Sequence, residues 1–127
     1  MKQEFLDADV VIELIRGNYQ LPVRSKIYVV SSITGYEVMR GVSHPLTKRG
    51  HRTIAFLDSV DIISFDKLAY EFAAKIYQSL NQKGTKVGEA DMMLGGHALS
   101  LSSSVLTFNV QHFRRFEGLD VRDAGGL

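Results

Sequence analysis

Short runs rich in β-branched and aromatic residues recur along the chain, and a helix-forming segment follows nearly every one of them. Residues 4–7 (EFLD) read as a first strand, 26–30 (KIYVV) as a second and 60–65 (VDIISF) as a third. Residues 104–108 (SVLTF) give a fourth, and 119–121 a short last one. Strands joined through helices pair in the same direction, because a helical crossover returns the chain to the end of the sheet where it started. The alternation therefore predicts an α/β fold: a three-layer α/β/α sandwich around a mostly parallel sheet of four to five strands, with right-handed crossovers.

Capping residues set the expected helix ends. The first helix is predicted over residues 10–16, with Asp9 as its cap and Gly17 as its stop. Ser31 and Ser32 suit the start of a helix carrying Tyr36, Glu37, Val38 and Met39. A helix over residues 45–57 is expected despite Gly50, which costs about 1 kcal/mol against alanine in a helix interior. Asp66 caps a long helix on which Leu68, Phe72, Ile76 and Leu80 recur every fourth residue, and Gly84 stops it. The last long helix begins near Ala90 and runs through MMLGGHALSL, where Gly95 and Gly96 permit close backbone packing; the AGGL tail reads as flexible.

Composition narrows the chemistry. A chain of 127 residues fits one domain, residues 1–127, whose core buries about two thirds of the unfolded surface. Without cysteine there are no disulfides, zinc–thiolate centres, cysteine-ligated clusters or cysteine nucleophiles, so any metal must sit on oxygen or nitrogen. No apolar stretch reaches the roughly 18 residues of a membrane span, and no signal-peptide core follows MKQEF; a cytoplasmic protein is expected. The net charge of +1 is no nucleic-acid footprint by itself. One basic cluster, Lys48, Arg49, His51 and Arg52, with Lys83, Lys86, Arg114 and Arg115 elsewhere, is either phosphate contact or solvated surface.

Three carboxylates occupy similar settings far apart in the sequence: Asp7 ends the first strand, Glu37 lies in an early turn of the second helix, and Asp91 opens the last long helix. Asn109 closes the fourth strand-like run. In open parallel sheets, ligands bind beyond the carboxyl ends of the strands, where these four residues would meet. Taken singly, each acid is equally well explained as a helix cap or a surface ion-pair partner. Taken together, clustered oxygen ligands suit Mg²⁺ or Mn²⁺. Asp9 and Glu89 are neighbouring acids that either support the site's ligands or, about twice as readily, serve as helix caps or solvated groups, and Thr107 either lines the site or packs on the strand face. His44, His51, His97 and His112 have no zinc spacing, and His97 reads as a packed core residue.

The same residues resemble the PIN-domain nucleases, most closely the small VapC-type toxins of type II toxin–antitoxin pairs, over nearly the whole chain. The stretch Leu6-Asp7-Ala8-Asp9-Val10 is similar to the family's opening motif, with Ala8 where Thr or Ser is usual. Ser31 to Gly41 resembles its second motif, Gly88 to Leu99 its third, with two glycines for the usual alanines, and Thr107-Phe108-Asn109-Val110-Gln111-His112-Phe113 its fourth. The resemblance implies a PIN-like fold and cleavage of RNA phosphodiesters dependent on Mg²⁺ or Mn²⁺. It implies Asp7, Glu37 and Asp91 as metal ligands and Asn109 as a neutral outer ligand or orienter. As partners it implies an RNA substrate, a cognate antitoxin and a second copy in a homodimer. Two other functions are compatible with the same residues: a PIN-domain endonuclease of RNA processing or decay without a toxin role, and a catalytically silent binding module.

Overall fold

The computed structural model describes residues 2–22 and 26–126. Its strands are β1 (Lys2–Leu6), β2 (Lys26–Ser31), β3 (Asp61–Ile63), β4 (Ser104–Thr107) and β5 (Val121–Asp123). Its helices are α1 (Ala8–Arg16), α2 (Ser32–Arg40), α3 (Lys48–Ser59), α4 (Lys67–Gln82), α5 (Glu89–Ser100) and the single turn α6 (Val110–Phe113). All neighbouring strands pair in parallel, in the order β3-β2-β1-β4-β5. The expected α/β/α sandwich is present, with every pairing parallel.

The two-residue period of the strands divides the core. Phe5, Val29 and Val105 point to one side, where Ile76 and Leu80 of α4, Leu94 and Ala98 of α5 and Phe113 of α6 cover them. Leu6, Val30 and Leu106 point to the other, against Val10 and Val11 of α1, Val38 of α2 and Phe56 of α3. The centres of β2 and β4 are buried on both faces, which is why they read as nearly continuous apolar runs.

Several boundaries differ from the sequence expectation, each for a local reason. Helix α1 starts at Ala8, because Asp7, not Asp9, caps it: the Asp7 Oδ1 accepts from the Ala8 N–H at 2.8 Å. Helix α3 starts three residues after Pro45, because the Thr47 hydroxyl accepts from the Gly50 N–H at 3.0 Å. Gly50 is an asset there, since a Cβ on it would collide with the backbone carbonyls of His44 and Pro45. On α4 the buried line is Ala69, Ala73, Ile76 and Leu80, and Leu68 is exposed; the four-residue count followed the larger side chains instead of the face that touches α5. The third strand shortens to Asp61–Ile63 and the last shifts to Val121–Asp123. The tail closes as a 3₁₀ turn over Ala124–Gly126 that buries Ala124, while Leu127 lies outside the described residues.

Helices α4 and α5 cross where Gly96 meets Ala73, so closely that a Cβ on Gly96 would overlap the Ala73 backbone. Backbone cannot rotate aside, so overpacking here should cost at least the usual 1–3 kcal/mol or so. Gly96→Ala is expected to lower the urea midpoint of unfolding without changing its slope; an unchanged midpoint would show that the two helices can separate freely.

His97, beside that crossing, is 1% exposed and is a packed core residue as the sequence suggested. Its ring lies against Phe5 and Phe65 at centroid distances of 4.7 and 5.5 Å. Its Nδ1 sits 2.8 Å from the Ser31 hydroxyl. Ser31 also accepts from the Ile33 N–H. Burial pushes the imidazole below its ordinary pKa, which favours the neutral ring.

Candidate active site at the carboxyl ends of β1 and β4

The chain builds β1, β2 and β3 outward in one direction and then returns to lay β4 and β5 on the other side of β1. The crevice between β1 and β4 is therefore the switch point of the sheet, where open α/β folds bind ligands. Asp7 is the first residue past β1, and Thr107 is the last of β4. The Asp7 N–H donates to the Leu106 carbonyl at 3.0 Å, so the two strand ends are held together by backbone.

Thr107 is the hub of the crevice. Its hydroxyl donates to Asp7 Oδ2 at 2.8 Å and accepts from the Asn109 N–H at 2.8 Å. Asp9, one helical residue beyond Ala8, reaches the same place: its Oδ2 lies 3.5 Å from the Thr107 hydroxyl and accepts from the Phe108 N–H at 3.2 Å. A hydroxyl carries one proton, so the shorter contact to Asp7 is the hydrogen bond that forms. The other Asp9 oxygen, Oδ1, is buried and has no hydrogen-bond partner.

Asp91 enters from the first turn of α5 and Glu37 from the second turn of α2. Asp91 Oδ2 accepts from His112 Nδ1 at 2.9 Å, and the Asn109 side-chain amide lies 3.0 Å from the same ring nitrogen. Asn109 stands at the start of α6 beside His112, and its side chain does not reach Asp7. Glu89 stays exposed at the start of α5.

The acids feel one another. Burial pushes the Asp7 carboxyl up from 3.8 to about 7, with the charges of Asp9 and then Asp91 adding to it, against the hydrogen bonds from Thr107 and Ala8. Asp9 is raised chiefly by burial, with Asp91 contributing and the hydrogen bond from the Phe108 N–H opposing. Glu37 is raised by burial first, then by Asp91 and Asp9, with Arg40 opposing. Asp7, Asp9, Glu37 and Asp91 therefore share one electrostatic neighbourhood. Among the described residues, however, no three carboxylate or imidazole groups are drawn together closely enough to form a ready-made ion cage.

The donor set nevertheless fits a hard divalent cation. It is all oxygen, burial and neighbouring charge disfavour the ionised forms of Asp7, Asp9 and Glu37, and a buried Asp9 oxygen is left without a partner. Asp9, which the sequence offered chiefly as a cap or solvated acid and otherwise as a supporting contact, lies with the acids, and so does His112, to which the sequence gave no role. The signal for Asp9 was the Asp-x-Asp spacing at a helix start, where both carboxyls overhang the same strand end. For His112 it was the three-residue step from Asn109, which puts both side chains on one face of a helical turn.

Comparison with known proteins bears on the fold and the family. Residues 5–119 match the model of the PIN domain family. The chain is 31% identical over 96 residues to a protein named tRNA(fMet)-specific endonuclease VapC from Salmonella typhimurium, covering 74% of this chain and 73% of that one. It superposes with a TM-score of 0.79 on a chain from the crystal structure of DNA-bound VapBC from Salmonella typhimurium, at 27% identity and covering 97% and 98% of the two chains. A chain of VapBC2 from Rickettsia felis, bound to a DNA fragment from its promoter, also superposes at 0.79, with 21% identity over 95% of this chain and 98% of that one. The family-model match, which spans nearly the whole strand–helix succession, makes this chain a member of the PIN domain family.

Proposed function

We propose that this chain is an endoribonuclease of the VapC kind, cleaving RNA phosphodiester bonds with Mg²⁺ or Mn²⁺ held by Asp7, Glu37 and Asp91. The observation that carries the reading is the gathering of mutually repelling carboxylates at the sheet's switch point. The names of its relatives support the same activity.

A divalent ion bound there supplies activation of water and neutralisation of charge on the cleaved phosphodiester. The protein's own contribution is placement. Thr107 and the Ala8 N–H hold both Asp7 oxygens in fixed directions, so one carboxylate edge is preset toward the crevice. Asp9 offers its unpartnered oxygen beside Asp7. His112, hydrogen-bonded to Asp91 at 2.9 Å, fixes the direction of that carboxylate. Exposed Arg40, Lys48, Arg49 and Arg52 on α2 and α3 draw the polyanion in.

The chain acts as the toxin half of a toxin–antitoxin pair, as a homodimer whose crevice a cognate antitoxin blocks. The likeness to a chain of a VapBC assembly supports that biology. Induced expression should arrest growth and generate new RNA ends, and co-expression of a short upstream reading frame should prevent both. New ends without growth arrest would instead assign an RNA-processing role.

Chelation gives a further check. RNA cleavage should fall below detection in EDTA and return with Mg²⁺ or Mn²⁺. A ligand that binds only the folded state at 100 times its Kd stabilises by about 2.7 kcal/mol, so saturating Mg²⁺ should raise the melting temperature as well. Full activity in EDTA would contradict the metal assignment.

A further inference from the structure

Beside the acids lies an open cleft of about 650 Å³ lined by Asp9, Ile12, Arg16, Asn18, Tyr19 and Phe108. Asp9 belongs to both the cleft and the carboxylate cluster, so the two are continuous. Phe108 is the anomaly. It ends the buried run Val105, Leu106 and Thr107 and, with Asn109 after it, is exposed, showing 40% of its surface although it is a large apolar ring.

Its position is also fixed. The Phe108 N–H donates to Asp9 Oδ2 at 3.2 Å, which ties its backbone to the acid site. The Tyr19 ring meets it edge-on, with centroids 5.2 Å apart and planes at 76°. Gly125 of the closing 3₁₀ turn backs the ring, with room for a Cβ 3.7 Å away. An exposed ring with supported edges is costly to leave in water and well shaped to stack on another flat π-face.

We propose that Phe108 is the stacking platform for a nucleobase next to the scissile phosphate, with the base seated in this cleft and the phosphate at the acids. The inference rests on the ribonuclease reading and adds a subsite to it. Adjacent residues set the spacing: Phe108 lies between Thr107, which holds Asp7, and Asn109, which reaches His112. At the far end Arg16 is half exposed, held by Glu13 at 3.0 Å, where a flanking phosphate of a single strand would pass. Stacking tolerates any base and favours the larger ring systems, so the subsite prefers a purine.

The test uses a short single-stranded RNA carrying 2-aminopurine at one position, in a walking series, with the intact protein. In the Mg²⁺ form, Phe108→Ala should weaken binding or raise KM about 10- to 100-fold, with kcat changed far less and the melting temperature kept. Phe108→Tyr should restore affinity. At one position only, 2-aminopurine fluorescence should be quenched by wild type and not by Phe108→Ala, and an abasic site there should make the two proteins bind alike. Cleavage by wild type with equal KM in Phe108→Ala, and no position sensitive to an abasic site, would overturn the subsite while leaving the ribonuclease reading intact. Unchanged RNA binding with loss of antitoxin complex in Phe108→Ala would assign the ring to a protein partner and overturn it too. Wild-type protein that neither binds nor cleaves RNA would overturn both.

Discussion

Asparagine in place of Asp7 should give a protein that melts higher than wild type in metal-free buffer and cleaves RNA at least about a thousandfold more slowly, the loss expected when a principal charge-stabilising group is removed. The first half follows from burial. Asp7 is 8% exposed, and its carboxyl is held up at about 7 by that burial, by Asp9 and by Asp91. A carboxyl whose folded pKa exceeds its unfolded value favours folding below the unfolded value and loses that contribution as pH rises through the folded one. Metal-free wild type should therefore lose stability between roughly pH 4 and pH 8, on the order of 2 kcal/mol from Asp7 once its coupling to Asp9 is allowed for. The asparagine variant should have a shallower slope over that window, because its side chain still accepts from the Ala8 N–H and never ionises. A variant that melts lower, or keeps the full slope, would show that Asp7 is held by something other than a repulsive cluster. Melting curves at several pH values, with a gel assay on RNA, measure both halves.

Removing a different acid should do the opposite. Glu4 is 0% exposed in the middle of β1, far from the crevice, and it accepts two hydrogen bonds from the Arg122 guanidinium, including Nε at 2.8 Å to Oε2. The Ser104 hydroxyl donates to it as well, and Arg122 Nη2 also reaches the Tyr28 hydroxyl at 3.2 Å. Four of the five strands are joined through this one carboxylate, and its hydrogen bonds raise the Arg122 pKa above its already high ordinary value. Glu4→Ala leaves a mostly buried cation unpaired, which typically costs about 3–5 kcal/mol. For a domain of this size the melting temperature should fall by roughly 10 °C or more. Pairing Glu4→Leu with Arg122→Met should recover much of the loss, because apolar groups of similar volume need no partner. If the double variant were no better than Glu4→Ala alone, shape and not charge would be what the site requires.

The two acids also mark how far the sequence could be read. Alternating strands and helices were legible because parallel strands buried on both faces leave nearly unbroken apolar runs, as in KIYVV and SVLTF. The caps at Ser31 and Asp66 were legible because a polar residue before a helix-forming run has one dominant use. At Asp7 and Asp9 two candidate caps stood two residues apart, and only the strand end, fixed by the Leu106 carbonyl, decides between them. Strand ends also placed Asp7, Thr107 and Asn109 near one another. Glu4 gave no signal at all: an acid in a short strand looks like an edge residue until Arg122, 118 positions later, is seen beside it. The same distance in sequence hid the pairing of His112 with Asp91, and side-chain size misled at α4, where alanines make the contact with α5.

Direct binding of Mn²⁺, followed through the loss of the free-ion electron paramagnetic resonance signal, is the measurement that bears on the carboxylate cluster without the complications of RNA. Wild type should take up one ion per chain at neutral pH, with affinity lost or reduced at least about tenfold in Asp7→Asn and in Asp91→Asn, as expected when one charged ligand is neutralised. Equal uptake by wild type and both variants, or no uptake by any of them, would contradict the claim that these side chains meet around a common cation.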